Sequence, residues 1–527
     1  MRILLQTSTY GYKTYHALAK RIKEQFPETI FGLEGISSAA EKFHKEQTDI
    51  EYEILDYRYS ENEIDFDILR KFEDRLPHKS LWRTIAVNRS LANAFLHGSV
   101  GYEWDHPVDR EYILRYYSNQ IKSINKIFNE FKPDIYIPAI AMGGFEVIIY
   151  EEVCRENNVL YLVPDSLRVK NYCLFSSDHQ ITFPQIDDLA KKLINDEIEL
   201  DKTYSEKLFD EVINDLKDPD YFDSKNARLK KVEFRGRSHR IFFMVGAISY
   251  YIITIIMNNL LMYFKGLLKG HKSKIFSFIK VYREVRNRVL SVLQKLKLTH
   301  PKFGTILEPS QKYLYFPLSG QPEYSNNILG TMWMDHHHLI ETLAKSIPHD
   351  WVVYVKEHPG ILSDRIRPMN FYKKIERLPN VFLAPIYAFS HEIISNAEMV
   401  AVISGTSGWE AIWRKKPVIE FRTNLWSVLG LSKKCTDTDK LSNDIYEEIK
   451  RIKKISFEDR KRIIVCFLTA VLKLGFKITY PKQLFYIEPG TDEQYEVCGR
   501  ELADGLLKHL NYLQKEKGYS FGISQET

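Results

Sequence analysis

Cysteine is scarce in this chain, and its few cysteines do not form pairs in the sequence. The 527 residues include five cysteines, spread from Cys154 to Cys498, and none of them belongs to a Cys-x-x-Cys pair. An odd and scattered set argues against a disulfide framework and against a zinc site, and a reducing compartment fits it best. Low-complexity tracts and internal repeats are also missing, so a repeat architecture is not indicated.

Several signatures of nucleotide and metal sites are missing too. The sequence has neither a Gly-Lys-Ser/Thr P-loop nor a Gly-x-Gly-x-x-Gly fingerprint, which argues against those two classes of nucleotide-binding protein. One Asp-x-Asp, from Asp65 to Asp67, lies in a charged stretch that we interpret as a solvated helix face. Neighbouring positions on a helix point in different directions, so the run from Asp335 to His338 favours an N-cap at Asp335 over a metal cluster.

A secretory leader is not recognisable in the first residues. They form a short apolar run, and charges resume at Lys13. We interpret this start as a buried strand followed by a turn and a helix, and we expect a cytoplasmic protein.

What the chain does contain is the composition of a packed protein. Apolar residues make up 44% of it, with 32 Tyr and 30 Phe, which favours a packed globular protein over a disordered chain. A sequence of 527 residues is too long for one ordinary core, so about two to four domains are expected.

Positive charge is concentrated in one segment. Residues 225–300 contain 17 Lys and Arg against two acidic residues, whereas the rest of the chain has 57 basic and 67 acidic residues. Within this segment, the 24 residues from Ile241 to Phe264 carry no charge and are flanked by Arg and Lys. A basic amphipathic helix is predicted to follow.

A long apolar run with basic flanks favours a membrane over nucleic acid as the partner of this segment. We therefore predict contact with an anionic membrane surface through residues 235–297 and no nucleic-acid partner. The alternative is a buried helical hairpin with a solvated basic face. A single membrane span would separate two halves that must close one cleft, so we expect a peripheral or monotopic protein on the inner face of the plasma membrane.

Strand and helix patterns alternate along both halves of the chain. The alternation stops after about residue 200 and restarts near Lys312. It predicts an α/β fold with two doubly wound, Rossmann-like domains, because such strands form parallel sheets covered on both faces. The predicted units are an N-terminal Rossmann-like domain (1–200), a helical basic and apolar insertion (201–300), a C-terminal Rossmann-like domain (301–455) and a helical tail that packs back on the N-terminal half (456–527).

Two such domains in series place ligands at the carboxyl ends of their strands. The run Lys356-Glu357-His358-Pro359 ends one predicted strand of the second half, and its histidine can donate to a phosphate or a sugar oxygen. A capping histidine in an ordinary turn is the simpler alternative. The loop after the first strand of this half carries Gln321 and Glu323, which can hydrogen-bond a sugar or a base, although a plain loop explains them as well.

A second predicted strand is followed by Ser404-Gly405-Thr406-Ser407-Gly408, and Trp409 to Arg414 is predicted as a helix. Backbone N–H groups at a helix start, with three hydroxyls and two glycines, are typical of an anion site, whereas N-capping needs one hydroxyl. Glu410 is placed by this prediction in the first helical turn, where it either holds a ribose or favours the helix dipole.

Taken together, these segments resemble a known family. The resemblance is carried by the runs YFPLSGQPEYSNN, YVKEHPG with Arg365, Arg367 and Tyr372 after it, LPNVFLAP, and ISGTSGWEAIWRKKPVIEF. These runs are similar to the capsule polysaccharide biosynthesis family, which includes the retaining β-Kdo transferases of capsule export. The resemblance is best over residues 312–425 and looser over 110–185, and none is seen over 200–300.

The resemblance implies a GT-B fold and metal-independent glycosyl transfer from a nucleotide sugar, often CMP-Kdo, to a glycan or lipid-linked acceptor. By resemblance, His358-Pro359 and Ser404–Gly408 face the nucleotide and its phosphate, and the N-terminal domain serves the acceptor. No cofactor and no metal are implied, since the nucleotide sugar is the substrate. Asp165 and Glu146 are the candidate catalytic carboxylates, because they lie at predicted strand or helix ends of the first half.

Two other function classes stay open at this point. One is another cleft enzyme that acts on sugar nucleotides, such as an epimerase or a polyol-phosphate transferase. The other is a non-catalytic assembly protein of the capsule machinery that retains the fold.

Overall fold

The computed structural model describes most of both halves of the chain. The described residues are 1–7, 11–35, 37–47, 49–86, 109–139, 146–200, 203–215, 293–300, 302–320, 328–358, 369–485 and 489–518, with a few isolated residues such as Asn326 and Arg367. The uncharged run Ile241 to Phe264 lies outside these ranges apart from isolated residues, and of the predicted insertion (201–300) the continuous described stretches are 203–215 and 293–300. Among the helices within them, none combines the length and the apolar character that a membrane span requires.

The first half is built on a sheet of five parallel strands in the order β3-β2-β1-β4-β5. The strands are β1 (Arg2–Gln6), β2 (Ile30–Glu34), β3 (Tyr52–Leu55), β4 (Ile135–Ile137) and β5 (Leu160–Tyr161). The helices that alternate with them are α1 (Tyr12–Gln25), α2 (Ser38–Glu46), α3 (Phe66–Arg75), α4 (Leu81–Ala86), α5 (Arg110–Phe131) and α6 (Glu146–Glu156).

Both faces of this sheet are buried. Leu4 and Tyr136 pack with α3, α5 and α6 on one face, whereas Ile3, Leu5 and Ile137 pack with α1 on the other. Burial on both faces is the reason that these strands are nearly continuous apolar runs.

One predicted strand is divided in the structure. The sequence predicts a single strand from Val159 to Val163, but the chain leaves the parallel sheet after β5 and enters a second, antiparallel sheet of order β14-β7-β6. Its strands are β6 (Val163–Ser166), β7 (Tyr172–Ser176) and, from the end of the chain, β14 (Phe476–Lys477). A continuous apolar run does not reveal where a strand changes its partner, so the sequence pattern missed this division. The helices α7 (Pro184–Ile194) and α8 (Thr203–Asp215) follow.

The second half is built on a sheet of six parallel strands in the order β10-β9-β8-β11-β12-β13. The strands are β8 (Lys312–Pro317), β9 (Trp351–Lys356), β10 (Val381–Leu383), β11 (Met399–Val402), β12 (Val418–Glu420) and β13 (Lys433–Lys434). The helices of this half are α9 (His336–Ser346), α10 (Met369–Glu376), α11 (Ser390–Asn396), α12 (Thr406–Trp413) and α13 (Leu441–Lys454).

The end of the chain is helical and contacts both halves. It contains α14 (Phe457–Leu474), α15 (Pro481–Leu484) and α16 (Asp492–Lys517). Helix α14 packs against α7 and α8, and α16 packs along α1. The three boundaries between the four predicted units stay predictions.

The predicted fold class is confirmed for the described residues. Each half has a parallel sheet whose strand order reverses direction next to its first strand, β1 in one half and β8 in the other, which is the doubly wound, Rossmann-like arrangement. Two such units in series are the GT-B arrangement.

Candidate functional site

Three strands of the second sheet end side by side. The β8–β9 ladder pairs Pro317 with Lys356, and the β8–β11 ladder pairs Tyr315 with Val400, so Val402 lies level with Pro317 two residues further along. The loops after β8, β9 and β11 therefore begin at one level of the carboxyl edge, where doubly wound sheets bind their ligands.

The loop after β11 leads directly into α12. The helix begins at Thr406 with Gly405 as its N-cap, so it starts three residues earlier than the sequence pattern predicted. Among the described residues no side chain caps this helix through Gly405, because glycine has no side chain to do so. The Gly408 N–H donates to the Gly405 carbonyl oxygen at 3.1 Å, so the N–H groups of Thr406 and Ser407 are the ones that the anion-site prediction for Ser404 to Gly408 requires.

The two glycines of this loop have different surroundings. A Cβ on Gly405 would meet no described atom closer than the Ser407 nitrogen at 4.0 Å, whereas a Cβ on Gly408 would lie 2.7 Å from Val402 Cγ2 and 3.0 Å from the Trp426 ring. Gly405 thus borders open space, and Gly408 allows α12 to pack closely on β11.

Lys356 is a buried cation at the same edge. Its side chain is on the same face as Val402, because paired residues of parallel strands share a face, and its relative exposure is 2%. Its Nζ donates to the Glu357 carbonyl oxygen at 3.3 Å, and no ion pair of Lys356 with a carboxylate occurs among the described residues. Burial, opposed by the charge of Glu357, lowers the pKa of Lys356 to about 8.

His358 follows directly and is half-buried. Its backbone N–H donates to Glu357 Oε1 at 2.8 Å, and that carboxylate also forms a buried ion pair with Arg367. The backbone of His358 is therefore tied to a buried side-chain network. Pro359, Gln321 and Glu323 belong to the predicted site but lie outside the described residues.

Glu410 lies in the second turn of α12, since the helix begins at Thr406. The first-turn prediction for Glu410 is therefore wrong, because the pattern placed the helix start at Trp409. The carboxylate lies 3.1 Å from Nδ1 of His391 on α11, and Arg414 approaches the same nitrogen at 2.9 Å. These contacts hold Glu410 between two helices.

Asp165 lies on β6 at the junction of the two halves. Its Oδ1 accepts the Ser166 N–H at 2.8 Å. Burial raises the pKa of Asp165, and the positive charges of Arg168 and Arg422 oppose that shift. Arg422, two residues beyond β12, also donates to the Gln180 carbonyl oxygen at 3.0 Å. Arg422, a residue of the second half, therefore lies close enough to Asp165 for its charge to act on this candidate carboxylate.

Glu146 lies elsewhere in the first half. It begins α6 and accepts a hydrogen bond from the Tyr116 hydroxyl at 3.3 Å, and burial raises its pKa. The two candidate carboxylates thus have separate surroundings, and the one with a charged neighbour from the second half is Asp165.

Sequence reasoning missed Arg422 and the roles of Glu357 and Arg367. Arg422 was detectable, because a polar residue just beyond a buried strand was the same signal that identified His358. The partnership of Glu357 with Arg367 was not detectable, because ten residues separate the two in the sequence and only the fold brings them together.

No protein-family model and no curated protein matches the sequence. Among solved structures, the chain is similar to a KpsC β-Kdo 2,7 transferase from Thermosulfurimonas dismutans, with 8% identity over 95% of this chain and 99% of that chain at a TM-score of 0.32. It is also similar to the KpsC β-Kdo 2,4 transferase of the same organism, with 11% identity over 69% and 87% and a TM-score of 0.31.

A further similar structure is the UDP-GlcNAc 2-epimerase from Neisseria meningitidis bound to UDP-GlcNAc, with 11% identity over 96% and 100% of the two chains and a TM-score of 0.27. Structural similarity at these TM-scores does not indicate function, so the function is inferred from the residues of the site.

Proposed function

We propose that the protein is a glycosyltransferase that binds a nucleotide sugar at the carboxyl edge of its second sheet. The observation that carries the proposal is Lys356, a buried cation without a described carboxylate partner. An unpaired charge is costly to bury. A ligand phosphate would supply the missing negative charge.

The position of α12 supports the same conclusion. Val402 packs beneath Gly408 in the first turn of α12, and Lys356 shares the face and the level of Val402 two strands away. Neighbouring strands are about 4.8 Å apart, so β9 and β11 are about 10 Å apart, and we propose that a phosphate bound between them contacts both the lysine side chain and the helix start. The helix N-terminus, Lys356 and the hydroxyls of Ser404, Thr406 and Ser407 would then surround one anion.

This arrangement suits the chemistry of glycosyl transfer. An oxygen of the acceptor forms a bond to the anomeric carbon, and the bond from that carbon to the phosphate oxygen breaks, so the nucleotide leaves with the electron pair and gains negative charge. Positive charge fixed at the phosphate stabilises that departure. In this proposal His358 donates to the same phosphate, and Lys356 with the helix start does the work that a metal ion performs in other transferases.

Asp165 is the carboxylate that we assign to the reacting centre. Its raised pKa suits proton transfer with the acceptor hydroxyl, and Arg422 brings it next to the second half. The family resemblance makes CMP-Kdo or a related acidic sugar nucleotide our proposed donor, and a capsular or lipid-linked glycan our proposed acceptor.

The first test is nucleotide binding, measured as a thermal shift with CMP, CDP, UDP and GDP. A ligand at about 100 times its Kd stabilises the folded state by about 2.7 kcal/mol, so at least one nucleotide should raise the melting temperature clearly. His358→Ala should weaken that binding by about 2–3 kcal/mol, the worth of a charge-assisted hydrogen bond, while its own melting temperature without ligand stays near that of the wild type.

The matched control is His349→Ala, because His349 is an exposed histidine just before β9, at the opposite edge of the sheet. It should bind like the wild type. If no nucleotide shifts the wild-type protein, the proposed site is wrong. Product analysis with the bound nucleotide sugar then separates transfer to an acceptor from epimerisation of the free donor, and binding without turnover would indicate an assembly protein.

A further inference from the structure

A fully hydrogen-bonded carboxylate lies behind His358. Glu357 Oε1 accepts from Arg367 Nη1 at 2.6 Å and from the His358 backbone N–H at 2.8 Å. Its Oε2 accepts from the same Nη1 at 2.6 Å and from the Tyr372 hydroxyl at 2.6 Å. The side chains of Glu357 and Arg367 are only 1% and 5% exposed, so this ion pair is shielded from water.

The second terminal nitrogen of the Arg367 guanidinium, Nη2, contacts two further elements. Arg367 Nη2 donates to the Ser319 carbonyl oxygen at 2.5 Å and lies 3.1 Å from Nδ1 of His336. Ser319 belongs to the loop after β8, and His336 is the first residue of α9. One arginine therefore joins the loops after β8 and β9, the same two loops that begin side by side at the carboxyl edge.

We infer that Glu357 and Arg367 are positioning residues that hold His358 and the loop after β8 in the geometry that binds the donor phosphate. A buried ion pair contributes little to stability when it is compared with apolar residues of the same volume. The pair instead fixes the orientation of His358, because the Glu357 carboxylate accepts a hydrogen bond from the backbone N–H of His358. The inference rests on the proposed function, in which His358 contacts the donor.

Three variants test this role. Glu357→Gln keeps the volume of the side chain and removes the charge that orients Arg367 and His358. Tyr372→Phe is milder, since it removes one of the four hydrogen bonds to the carboxylate, and it serves if Glu357→Gln does not fold. The control is Glu448→Gln, which removes a comparably buried carboxylate, 1% exposed and paired with Arg451 at 2.8 Å on α13.

The first measurement is the Kd of whichever of CMP, CDP, UDP and GDP stabilises the wild type most, with each variant held well below its own melting temperature. We expect Glu357→Gln to weaken binding about tenfold, because small misplacements of a binding group have effects of at least that size. Tyr372→Phe should weaken it less, and Glu448→Gln should leave it unchanged even if it lowers the melting temperature as much.

A double variant shows whether the effect passes through His358. If it does, Glu357→Gln combined with His358→Ala should bind no more weakly than His358→Ala alone. Losses that multiply in the double variant would overturn the inference, and so would wild-type affinity in Glu357→Gln.

A second readout needs no nucleotide. With ¹⁵N-labelled histidine, the backbone amide resonance of His358 should move in Glu357→Gln and in Tyr372→Phe but not in Glu448→Gln. An unmoved resonance would overturn the positioning role even if nucleotides bind. If the resonance moves but no nucleotide binds to the wild type, the proposed function has failed while the contact between Glu357 and His358 stands.

Discussion

At the scale of single residues, a substitution of Lys356 should affect nucleotide affinity and the free energy of unfolding differently. Lys356→Met removes a buried charge that forms no ion pair among the described residues, so the free energy of unfolding should stay the same or rise. Nucleotide affinity should fall by about 2–3 kcal/mol, because a charge-assisted contact with the phosphate is lost. Chemical denaturation and calorimetry on the same samples check both quantities. A variant that is less stable and binds normally would show that Lys356 is a structural residue.

The two glycines of the β11–α12 loop should respond in opposite ways. Gly405 has φ −74° and ψ 146°, which valine adopts readily, so Gly405→Val should cost about 1 kcal/mol or less through the changed N-cap. Its side chain would occupy the open space in front of the helix start, and nucleotide binding should be lost. It is this space, and not the conformational freedom of glycine, that makes the position sensitive.

Gly408→Ala should show the reverse pattern. Its Cβ would lie 2.7 Å from Val402 Cγ2, so overpacking should destabilise the fold by about 1–3 kcal/mol, and nucleotide affinity should be retained in the fraction that stays folded. Thermal denaturation and calorimetry distinguish the two variants. Normal binding by Gly405→Val would remove this loop from the site.

At the scale of elements, a buried carboxyl group joins two strands and a helix of the first half. Glu34, the last residue of β2, accepts from the hydroxyls of Tyr136 on β4 at 3.0 Å and Tyr150 on α6 at 2.9 Å. Complete burial raises the pKa of Glu34 to about 7, although hydrogen bonds from these tyrosines and from Gln6 oppose the shift.

This raised pKa predicts a stability that falls as pH rises. Below about pH 4.5 the carboxyl is protonated in both the folded and the unfolded state. Between 4.5 and 7 the unfolded chain loses the proton first, so the folded state loses up to about 3 kcal/mol relative to it. Glu34→Gln mimics the protonated acid and should equal the wild type near pH 4.5 but exceed its stability at pH 8. Parallel pH profiles of the free energy of unfolding for the two proteins would contradict the assignment.

At the scale of the whole molecule, the two halves are in direct contact. The Trp409 indole donates to the Arg168 carbonyl oxygen at 3.1 Å, and Arg422 donates to that of Gln180 at 3.0 Å. Helix α16 returns from the end of the chain to pack along α1. The described parts of the two halves must therefore lie on the same side of any membrane, which agrees with the sequence argument against a single span between them.

Membrane contact stays a prediction, because residues 235–297 lie mostly outside the described part of the chain. We expect the protein to float with anionic liposomes at low salt and to be released as ionic strength rises. Replacing Arg235, Arg237, Arg240, Lys265 and Lys269 with Gln should weaken the binding and reduce its dependence on salt. A wild-type protein that stays with the unbound fraction at low salt would favour the buried hairpin instead.

How much the sequence predicts depends on how local the signal is. The apolar run from Trp351 to Lys356 predicts a strand with the bounds that the structure shows, because the run is continuous and both faces of the strand are buried. Strand β2 was missed, because Gly32 interrupts it. The structure explains that glycine, since a Cβ there would lie 2.8 Å from the Phe131 ring, and such a packing demand comes from a residue almost one hundred positions away.

By itself, the sequence determined the two Rossmann-like halves and the loops at the strand ends of the second half, since periodicity and turn chemistry are local properties. The tertiary structure alone decided which side chains meet there. It placed Lys356 level with the start of α12, paired the carboxylate of Glu357 with Arg367, and brought Arg422 near Asp165. Burial and strand register depend on the whole fold, so the sequence around Lys356 and His358 predicts neither the orientation of His358 nor the lack of an ion pair for Lys356 among the described residues.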